Sequence, residues 1–354
     1  MRTIPTLVTI AATVAALAGP AVPPAAAQSS GDDSGHRGSF LVWSRFDDFK
    51  TGTARLVVAD HHSRRVRTLT HPPAGVRDID PRVSPDGRQV LFERDSGAAS
   101  VAQAWLVGID GRGERRLDLG CVDPCAGTNT PSWTPDGRHV LYDRVSGPFD
   151  ASGGAASAAL WKANLNGRHN KRFSDPGLEA STEETDPTFA PAGYLVVLHG
   201  RKDGHSAVFR LRADGTHPHQ LTPWSLDADL PRVSPATSGP SRDLVVFETY
   251  GRGAPEGASV DQQVATVPAT CRSVADCTSK ITRLTRSARP AADFNPSWSP
   301  RGRHIAYVHF SYDEAHPPAV GDIETMRWDG AHKRPFSEDP RFEFRPAWGH
   351  VRGG

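Results

Sequence analysis

Short apolar runs alternate along this chain with turn residues, and their spacing is that of β-strands rather than helices. In one unit the runs at 82–84, 89–93, 104–108 and 115–117 predict four short strands. A Pro-Asp-Gly turn follows the first strand, and an Asp-Gly turn follows the third. Glycine supplies the positive φ that such turns need. The pattern therefore predicts a four-stranded antiparallel unit with two tight turns.

The same unit recurs along the chain, which predicts a repeat architecture. Each copy opens with a proline, a short apolar strand and a Ser-Pro or related turn, at intervals of 44 to 65 residues. The leading prolines are Pro81, Pro131, Pro187, Pro231, Pro296 and Pro346. Strands that are apolar on both faces must be covered twice, and radially stacked blades do this. We therefore expect an all-β fold, a six-bladed β-propeller of four-stranded antiparallel blades.

The two ends of the chain share one repeat. The last copy opens at Pro346 and has only a few residues after its first strand. Residues 40–44, 55–59 and 67–70 supply three strands that lack a first partner. Pairing the N-terminal strand with the last repeat would close the ring. A linear β-solenoid does not explain this split repeat.

The repeats resemble those of the TolB-like family of periplasmic and secreted propellers. The phrase Pro296-Ser297-Trp298-Ser299-Pro300, its copy at Pro131–Gly137 and the following Asp-Gly and Leu-Thr motifs look like the WD40-like propeller repeat. The resemblance covers nearly all of the chain after its first residues. It implies a propeller that binds a protein or a cell-envelope component. Similar propellers also occur in prolyl-oligopeptidase-type enzymes and in a metal-holding oligogalacturonate lyase. This sequence lacks the Gly-x-Ser-x-Gly elbow of the peptidases, so peptidase activity does not carry over.

The N-terminal residues predict export. Arg2 precedes an apolar stretch, and Ala25-Ala26-Ala27 fits a cleavage site. We expect a signal peptide at 1–27, a flexible tail at 28–38 and the propeller at 39–354. The protein would be secreted, or periplasmic if the source has an outer membrane, with no membrane span in the mature chain.

The charge of the chain bears on its partners, and its cysteines bear on its disulfides. The chain has 41 basic and 40 acidic residues, scattered without a basic stripe, which argues against nucleic acid. Cys121 and Cys125 form one close pair, and Cys271 and Cys277 another. In an exported chain such pairs predict disulfides, although a single zinc site using all four is the rival. We expect a monomer.

Propeller geometry separates two faces. The tight turns share one face, while the long loops between second and third strands share the other. Those long loops are 96–103, 146–159, 251–262 and 312–322. Because function tends to lie in loops on a rigid scaffold, we expect the long-loop face to bind the partner.

Polar and mostly acidic residues precede each leading proline, where they would surround the mouth of the channel on that face. The candidates are Asp78, Asp80, Asn129, Glu184, Asp186, Asp227, Asp229, Asp293, Asn295 and Glu343, with Arg345 at the matching place in the last repeat. Converging oxygens suit Ca²⁺ or another divalent cation, while capping of the strand by its own side chain is the alternative.

Histidines near the same face extend the candidate metal set. The residues to consider as metal ligands are Asp186, Asp229, His199, His309 and His316. No pair among them has a convincing ligand spacing, and no cofactor is certain. Trp133, Trp298, Trp348 and Phe189 lie at matching repeat positions, and we expect them in the core between blades.

Two functions fit these observations. The first is a secreted, non-catalytic binding or scaffold protein that engages its partner through the long-loop face. The alternative is a cation-dependent lyase or hydrolase acting on carbohydrate or lactone substrates at the channel mouth. The absence of a nucleophile–base motif favours the binding protein.

Overall fold

The computed structural model describes residues 38–48, 51–96, 102–123, 125–146, 157–174, 181–201, 204–249, 262–287, 291–311 and 320–351. The predicted signal peptide, nearly all of the predicted tail, His316 and most residues of the four long loops lie outside these ranges.

The described residues form 24 strands and hardly any helix, which confirms the all-β prediction. The strands are β1 (Ser39–Asp48), β2 (Thr53–Asp60), β3 (Val66–Thr68), β4 (Arg77–Val83), β5 (Gln89–Asp95), β6 (Gln103–Gly108), β7 (Arg115–Arg116), β8 (Cys125–Trp133), β9 (His139–Ser146), β10 (Ser157–Asn164), β11 (Lys171–Arg172), β12 (Ser181–Phe189), β13 (Tyr194–Arg201), β14 (Ser206–Arg212), β15 (His219–Gln220), β16 (Ala228–Val233), β17 (Leu244–Thr249), β18 (Gln263–Pro268), β19 (Thr282–Arg283), β20 (Ala292–Trp298), β21 (His304–Ser311), β22 (Val320–Arg327), β23 (Arg334–Pro335) and β24 (Glu343–His350). A 3₁₀ turn at Trp224–Leu226 and one short helix, α1 (Val274–Ser279), interrupt them.

Antiparallel pairing joins consecutive strands into sets of four. The sets are β4–β7, β8–β11, β12–β15, β16–β19 and β20–β23. The remaining set combines β24 from the end of the chain with β1, β2 and β3 from its start, and Leu41 of β1 lies opposite Trp348 of β24. The split repeat therefore pairs as its sequence predicts.

Apolar residues on both faces of the middle strands pack between neighbouring sets. In β5 the four central residues are all buried, because the sheet is covered on each side. One core cluster joins Leu91 and Leu106 of one set to Trp133 and Tyr142 of the next. The first strands of the sets also contact one another in succession, from β4 through β8, β12, β16 and β20 to β24, and β24 contacts β4. These contacts leave a central space between the first strands.

Both predicted disulfides are confirmed. Cys121 is bonded to Cys125, and Cys271 is bonded to Cys277 beside α1. The side chain of Ser273 accepts a hydrogen bond from the Asp276 N–H and caps this helix. Within the described ranges, none of the helical segments has the length and apolar character needed to cross a bilayer.

Candidate functional site

Every first strand carries a bulge at the residue before its leading proline. These residues have left-handed backbone conformations with φ between 40° and 56°, and they are Asp80, Thr130, Asp186, Leu230, Asn295 and Arg345. The pairing register skips there, as between Ile79 and Arg82. A bulge re-aims a side chain, and Asp and Asn tolerate this conformation better than most residues. The bulge therefore sends a polar side chain toward the central space in several of the sets.

Hydrogen bonds from one set to the next stabilise these strained residues. The N–H of Thr130 donates to the Glu93 carboxylate of the preceding set, and the N–H of Asp186 donates to Thr130 Oγ1 at 3.1 Å. The N–H of Asn295 donates to Glu248 at 2.6 Å, and that of Arg345 to Asn295 Oδ1 at 3.1 Å. Left-handed non-glycine residues persist where their surroundings over-determine them. These bonds also tie neighbouring sets together around the central space.

Two of the predicted acidic residues meet three arginines there. Asp80 lies 2.7 Å from Arg82 and 3.3 Å from Arg345. Asp186 lies 3.4 Å from Arg82 and 3.2 Å from Arg232. Arg232 also lies 3.6 Å from Asp80. We call these five residues the arginine–aspartate cluster. It joins four different strand sets, and its three cations exceed its two carboxylates by one charge.

The protonation behaviour of the cluster follows from burial and mutual charge. Burial alone would raise the pKa of Asp80, but the charges of Arg82, Arg345 and Arg232 hold it far below its usual value. Burial lowers the pKa of Arg232, and the positive charge of Arg82 lowers it further. Burial would also lower the pKa of Arg345, yet Asp80 and the other nearby carboxylates raise it. The carboxylate of Asp80 is thus a fixed counter-charge to the arginines.

A second layer of buried carboxyl groups lies behind the cluster. Burial raises the pKa of Glu93 well above its usual value, and the charge of Asp80 raises it further. Burial raises the pKa of Asp143 to about 8, although Thr130 Oγ1 donates a hydrogen bond to that carboxyl group. At neutral pH Asp143 therefore keeps its proton. Glu93 and Asp143 both accept hydrogen bonds from Thr130 and brace its bulge.

Several other predicted acidic residues contact the second strand of their own set and lie outside the cluster. Arg94 donates to Asp78 at 2.6 Å, and Glu184 accepts from Ser174 and lies 3.3 Å from His199. His309 lies 2.8 Å from Asp293. All three carboxylates are buried. They pair across the first and second strands and hold these together.

The remaining predicted positions are also engaged locally. Asp227 lies 3.0 Å from His205, and one oxygen of Asp229 accepts from the Leu230 N–H at 2.8 Å. Asn129 is buried opposite Asp143 in the strand register. Burial raises the pKa of Glu343 to about 7. The Asp229 contact is the side-chain capping that the sequence left open as an alternative.

The candidate metal ligands lie in separate places. Asp186 belongs to the arginine–aspartate cluster, while His199 pairs with Glu184 and His309 with Asp293. Burial lowers the pKa of His199 to about 3, which keeps its imidazole neutral. The hydrogen bond that His309 makes to the Asp293 carboxylate raises the pKa of His309, against the effect of burial. In the described part of the chain, the potential ligands that converge are His219, Cys271 and Cys277, and both of these sulfurs are in a disulfide.

An open cavity of about 600 Å³ lies on the tight-turn side of the cluster. First strands of all six sets line it, and Arg82 and Arg232 lie at its inner end. The buried rings of Trp133, Trp298 and Trp348 form part of its wall. We call this space the central cavity. It opens on the face opposite the one on which the sequence predicts binding.

A group of phenylalanines lies at the long-loop end of two neighbouring sets. Phe46 stacks on Phe344 with ring centroids 5.1 Å apart, and Phe342 lies 6.0 Å from Phe310, which lies 6.3 Å from Phe294. Phe344 is buried, while the other four are half-buried. We call these five residues the phenylalanine cluster. It places aromatic surface at the ends of β1 and β21 and at the start of β24.

Sequence reasoning named Arg345 but missed Arg82 and Arg232 of the cluster, and it missed the phenylalanines. Arg82 and Arg232 each follow a leading proline, so the repeated Pro-Arg pair was the available signal. The sequence could not show that the bulges turn Asp80 and Asp186 toward these arginines. The phenylalanines are spread over 46–344, and only the fold assembles them.

Comparisons with known proteins identify the fold. No protein-family model matches the sequence, and no curated protein matches it. TolB from Acinetobacter baumannii has a TM-score of 0.62 at 16% identity, over 89% of this chain and 67% of that one. Hydrazine synthase from Kuenenia stuttgartiensis gives 0.63 at 14%, over 89% and 47%. A chain of a nidogen–laminin complex gives 0.60 at 12%, over 89% and 100%. Sequence identities this low establish similarity of fold and nothing about function. The repeats, the strand pairing and these similarities together show that the chain has a TolB-like β-propeller fold.

Proposed function

We propose that this protein is an extracytoplasmic, non-catalytic binding protein that engages a protein partner of the cell envelope through its long-loop face. The observation that carries the proposal is the phenylalanine cluster. Aromatic side chains are enriched at the centres of protein interfaces, where polar residues surround them. Asp339, 3.1 Å from Arg45 and 2.7 Å from Arg341, gives this cluster such a polar border.

The surroundings of Asp80 and Asp186 support a binding protein rather than a cation-dependent enzyme. A lyase or hydrolase of the alternative kind would need Asp186 and its neighbours as cation ligands. Instead Asp80 and Asp186 face three guanidinium groups at 2.7–3.6 Å. A cation placed there would have to displace or repel those arginines. The cluster is better explained as the part that fixes the inner strands.

A closed ring of six blades is part of the same proposal. The pairing of β1 with β24 and the succession of contacts from β4 round to β24 support it. Such a ring would fix the strands that carry the phenylalanine cluster, so that these aromatic residues are presented with little loss of conformational entropy on binding. Similarity to TolB and to a propeller from a nidogen–laminin complex is in keeping with a protein partner.

Photo-crosslinking in cells of the source organism tests the proposal. Benzoyl-phenylalanine would replace Phe310 or Phe342, and Val66 on the outer strand β3 serves as the control, since it is exposed in a neighbouring region of the same set as Phe46. We expect one shared adduct from both phenylalanine positions and none from Val66. Mass spectrometry would identify the adduct.

A binding measurement with the purified partner completes the test. Phe342→Ser should weaken the affinity about tenfold or more, as expected for an aromatic anchor at the centre of an interface. Val66→Ser should leave the affinity unchanged. Equal adducts from all three positions, or equal affinities for both variants, would overturn the proposed binding face.

A further inference from the structure

We infer that the central cavity is a second binding site, for a small organic anion whose carboxylate or phosphate group meets Arg82 and Arg232 while its apolar body contacts the proline and tryptophan walls. This site is distinct from the proposed partner face, since it opens at the opposite, tight-turn end of the propeller.

The cavity has the size and surface of a small-molecule site. Its volume of about 600 Å³ lies within the range usual for ligand pockets, roughly 300–1,000 Å³. Prolines of the tight turns and the edges of Trp133, Trp298 and Trp348 give it apolar walls. Hydroxyl groups of Ser132, Thr188 and other strand residues add a few polar contacts. Mostly apolar walls with a few placed polar groups are typical of such pockets.

The ionisable side chains that line the cavity are all basic. The ionisable residues that line the cavity are Arg82, Arg232, Arg301, Arg303, His304 and His350, and the lining within the described ranges includes neither Asp nor Glu. A concave site lined by charges of one sign concentrates the electrostatic field on a ligand of the opposite sign. The lining therefore favours anions and disfavours cations.

The two inner arginines are already fixed in place. Arg82 Nη1 donates to Asp80 and to the Pro81 carbonyl at 3.1 Å, and Arg232 Nη1 donates to Asp186 and to the Pro231 carbonyl at 2.7 Å. Their side chains stay 15% and 13% exposed. The guanidinium group matches carboxylate and phosphate geometry, and fixed donors lose little entropy on binding.

The net charge of the cluster explains why its aspartates do not cancel this preference. Within the arginine–aspartate cluster three guanidinium groups face two carboxylates, so the guanidinium groups outnumber the carboxylates of the cluster. Both carboxylates belong to the cluster and neither lines the cavity. An anion entering from the tight-turn side meets arginine first.

Titration of the purified full-length protein with four matched probes tests the site. Phenyl phosphate and phenylacetate are the anions, benzyl alcohol is the neutral analogue and benzylamine the cation. Fluorescence of the cavity tryptophans and calorimetry report binding. We expect both anions to bind at least about tenfold more tightly than the other two probes. Equal affinity for anionic and neutral probes would overturn the inference.

A pair of charge-reversal variants locates the binding. Arg301→Glu/Arg303→Glu changes two exposed cavity arginines, and Arg283→Glu/Arg334→Glu makes the same charge change on the outer strands β19 and β23. The cavity variant should weaken anion binding about tenfold or more, and the control should stay within about twofold. Thermal melting of both variants checks that they fold.

Two further results would contradict a small-anion site. Equal weakening by the cavity and control variants would show that net charge alone attracts the probes. Binding of an acetylated, amidated Glu-Asp-Glu tripeptide without binding of either small anion would assign the cavity to an acidic peptide instead. Since none of these measurements involves the phenylalanine cluster, their failure leaves the proposed partner face untouched.

Discussion

The guanidinium group of Arg345 lies 3.3 Å from the carboxylate of Asp80. Arg345 belongs to the last strand of the chain, and Asp80 to the first strand of the neighbouring set. This ion pair therefore connects the set shared by both chain ends to the set that follows it. Asp80 and Asp186, two of the residues that sequence patterns suggest for a cation site, balance arginines at the centre of the fold.

Replacing one cluster carboxylate should destabilise the protein strongly. Asp80→Asn removes the carboxylate that pairs with Arg82, Arg232 and Arg345, and breaking a buried ion pair costs about 3–5 kcal/mol. Urea unfolding should show a lower free energy of unfolding by that amount. Asp214→Asn, at an exposed turn, is the control and should not move the urea midpoint. An unchanged midpoint for Asp80→Asn would show that the pairs contribute little.

Buried carboxyl groups should make stability fall as pH rises toward neutrality. Asp143, with a pKa of about 8, keeps its proton in the folded state after the unfolded chain has lost it. Between pH 4 and pH 8 the folded state then binds more protons, so its stability decreases by up to about 1.4 kcal/mol per pH unit from this group. The stabilisation from Asp143 is fully present below the pKa that this group has in the unfolded chain. It is lost as the pH rises toward the pKa that the group has in the folded protein.

Asp143→Asn should remove that dependence. Urea unfolding at pH 5 and pH 8 would measure the difference in stability between the variant and the wild type at each pH. We expect the free energy of unfolding of the variant to increase relative to that of the wild type as the pH rises. A difference that does not change between the two pH values would mean that Asp143 titrates normally in the folded protein.

The fold was largely predictable from the sequence, whereas the chemistry of its centre was not. Repeated turns and apolar runs predict the strands, and the unpartnered strand at 40–44 predicts the pairing of β1 with β24. The left-handed residue before each proline breaks the alternation of side chains, so a period of two cannot tell which way Asp80 or Asp186 points. Their arginine partners come from other sets and are set by the fold alone.

Two indole groups should hold Arg82 and Arg232 of the arginine–aspartate cluster in position. Trp133 Nε1 donates to the Arg82 carbonyl and Trp298 Nε1 to the Arg232 carbonyl, each at 2.9 Å. Replacement by Phe leaves that carbonyl without its donor, at a cost of about 1–3 kcal/mol. Thermal or urea unfolding measures the loss.

A third tryptophan provides the control for these variants. Trp328 packs in the same core cluster as Trp298, without an indole hydrogen bond of this kind among the described residues. Trp328→Phe should therefore cost less than Trp298→Phe. Equal losses would assign the effect to ring volume rather than to the hydrogen bond.

Both disulfides should be present in the purified protein and should stabilise it modestly. Labelling under denaturing, non-reducing conditions should find no free thiol. Each bond closes a short loop, so replacing either pair by serine should lower the free energy of unfolding by about 2 kcal/mol. Four reactive thiols would contradict the pairing.

The melting temperature of the purified protein with EDTA, and then with Ca²⁺ or Mn²⁺, tests most directly whether the central carboxylates are counter-charges or cation ligands. A ligand that binds only the folded state raises its stability with concentration. Because Asp80 and Asp186 are engaged by three arginines, we predict the same melting temperature in EDTA and in millimolar cation. A rise of several degrees that EDTA reverses would contradict the account and favour a cation-dependent enzyme.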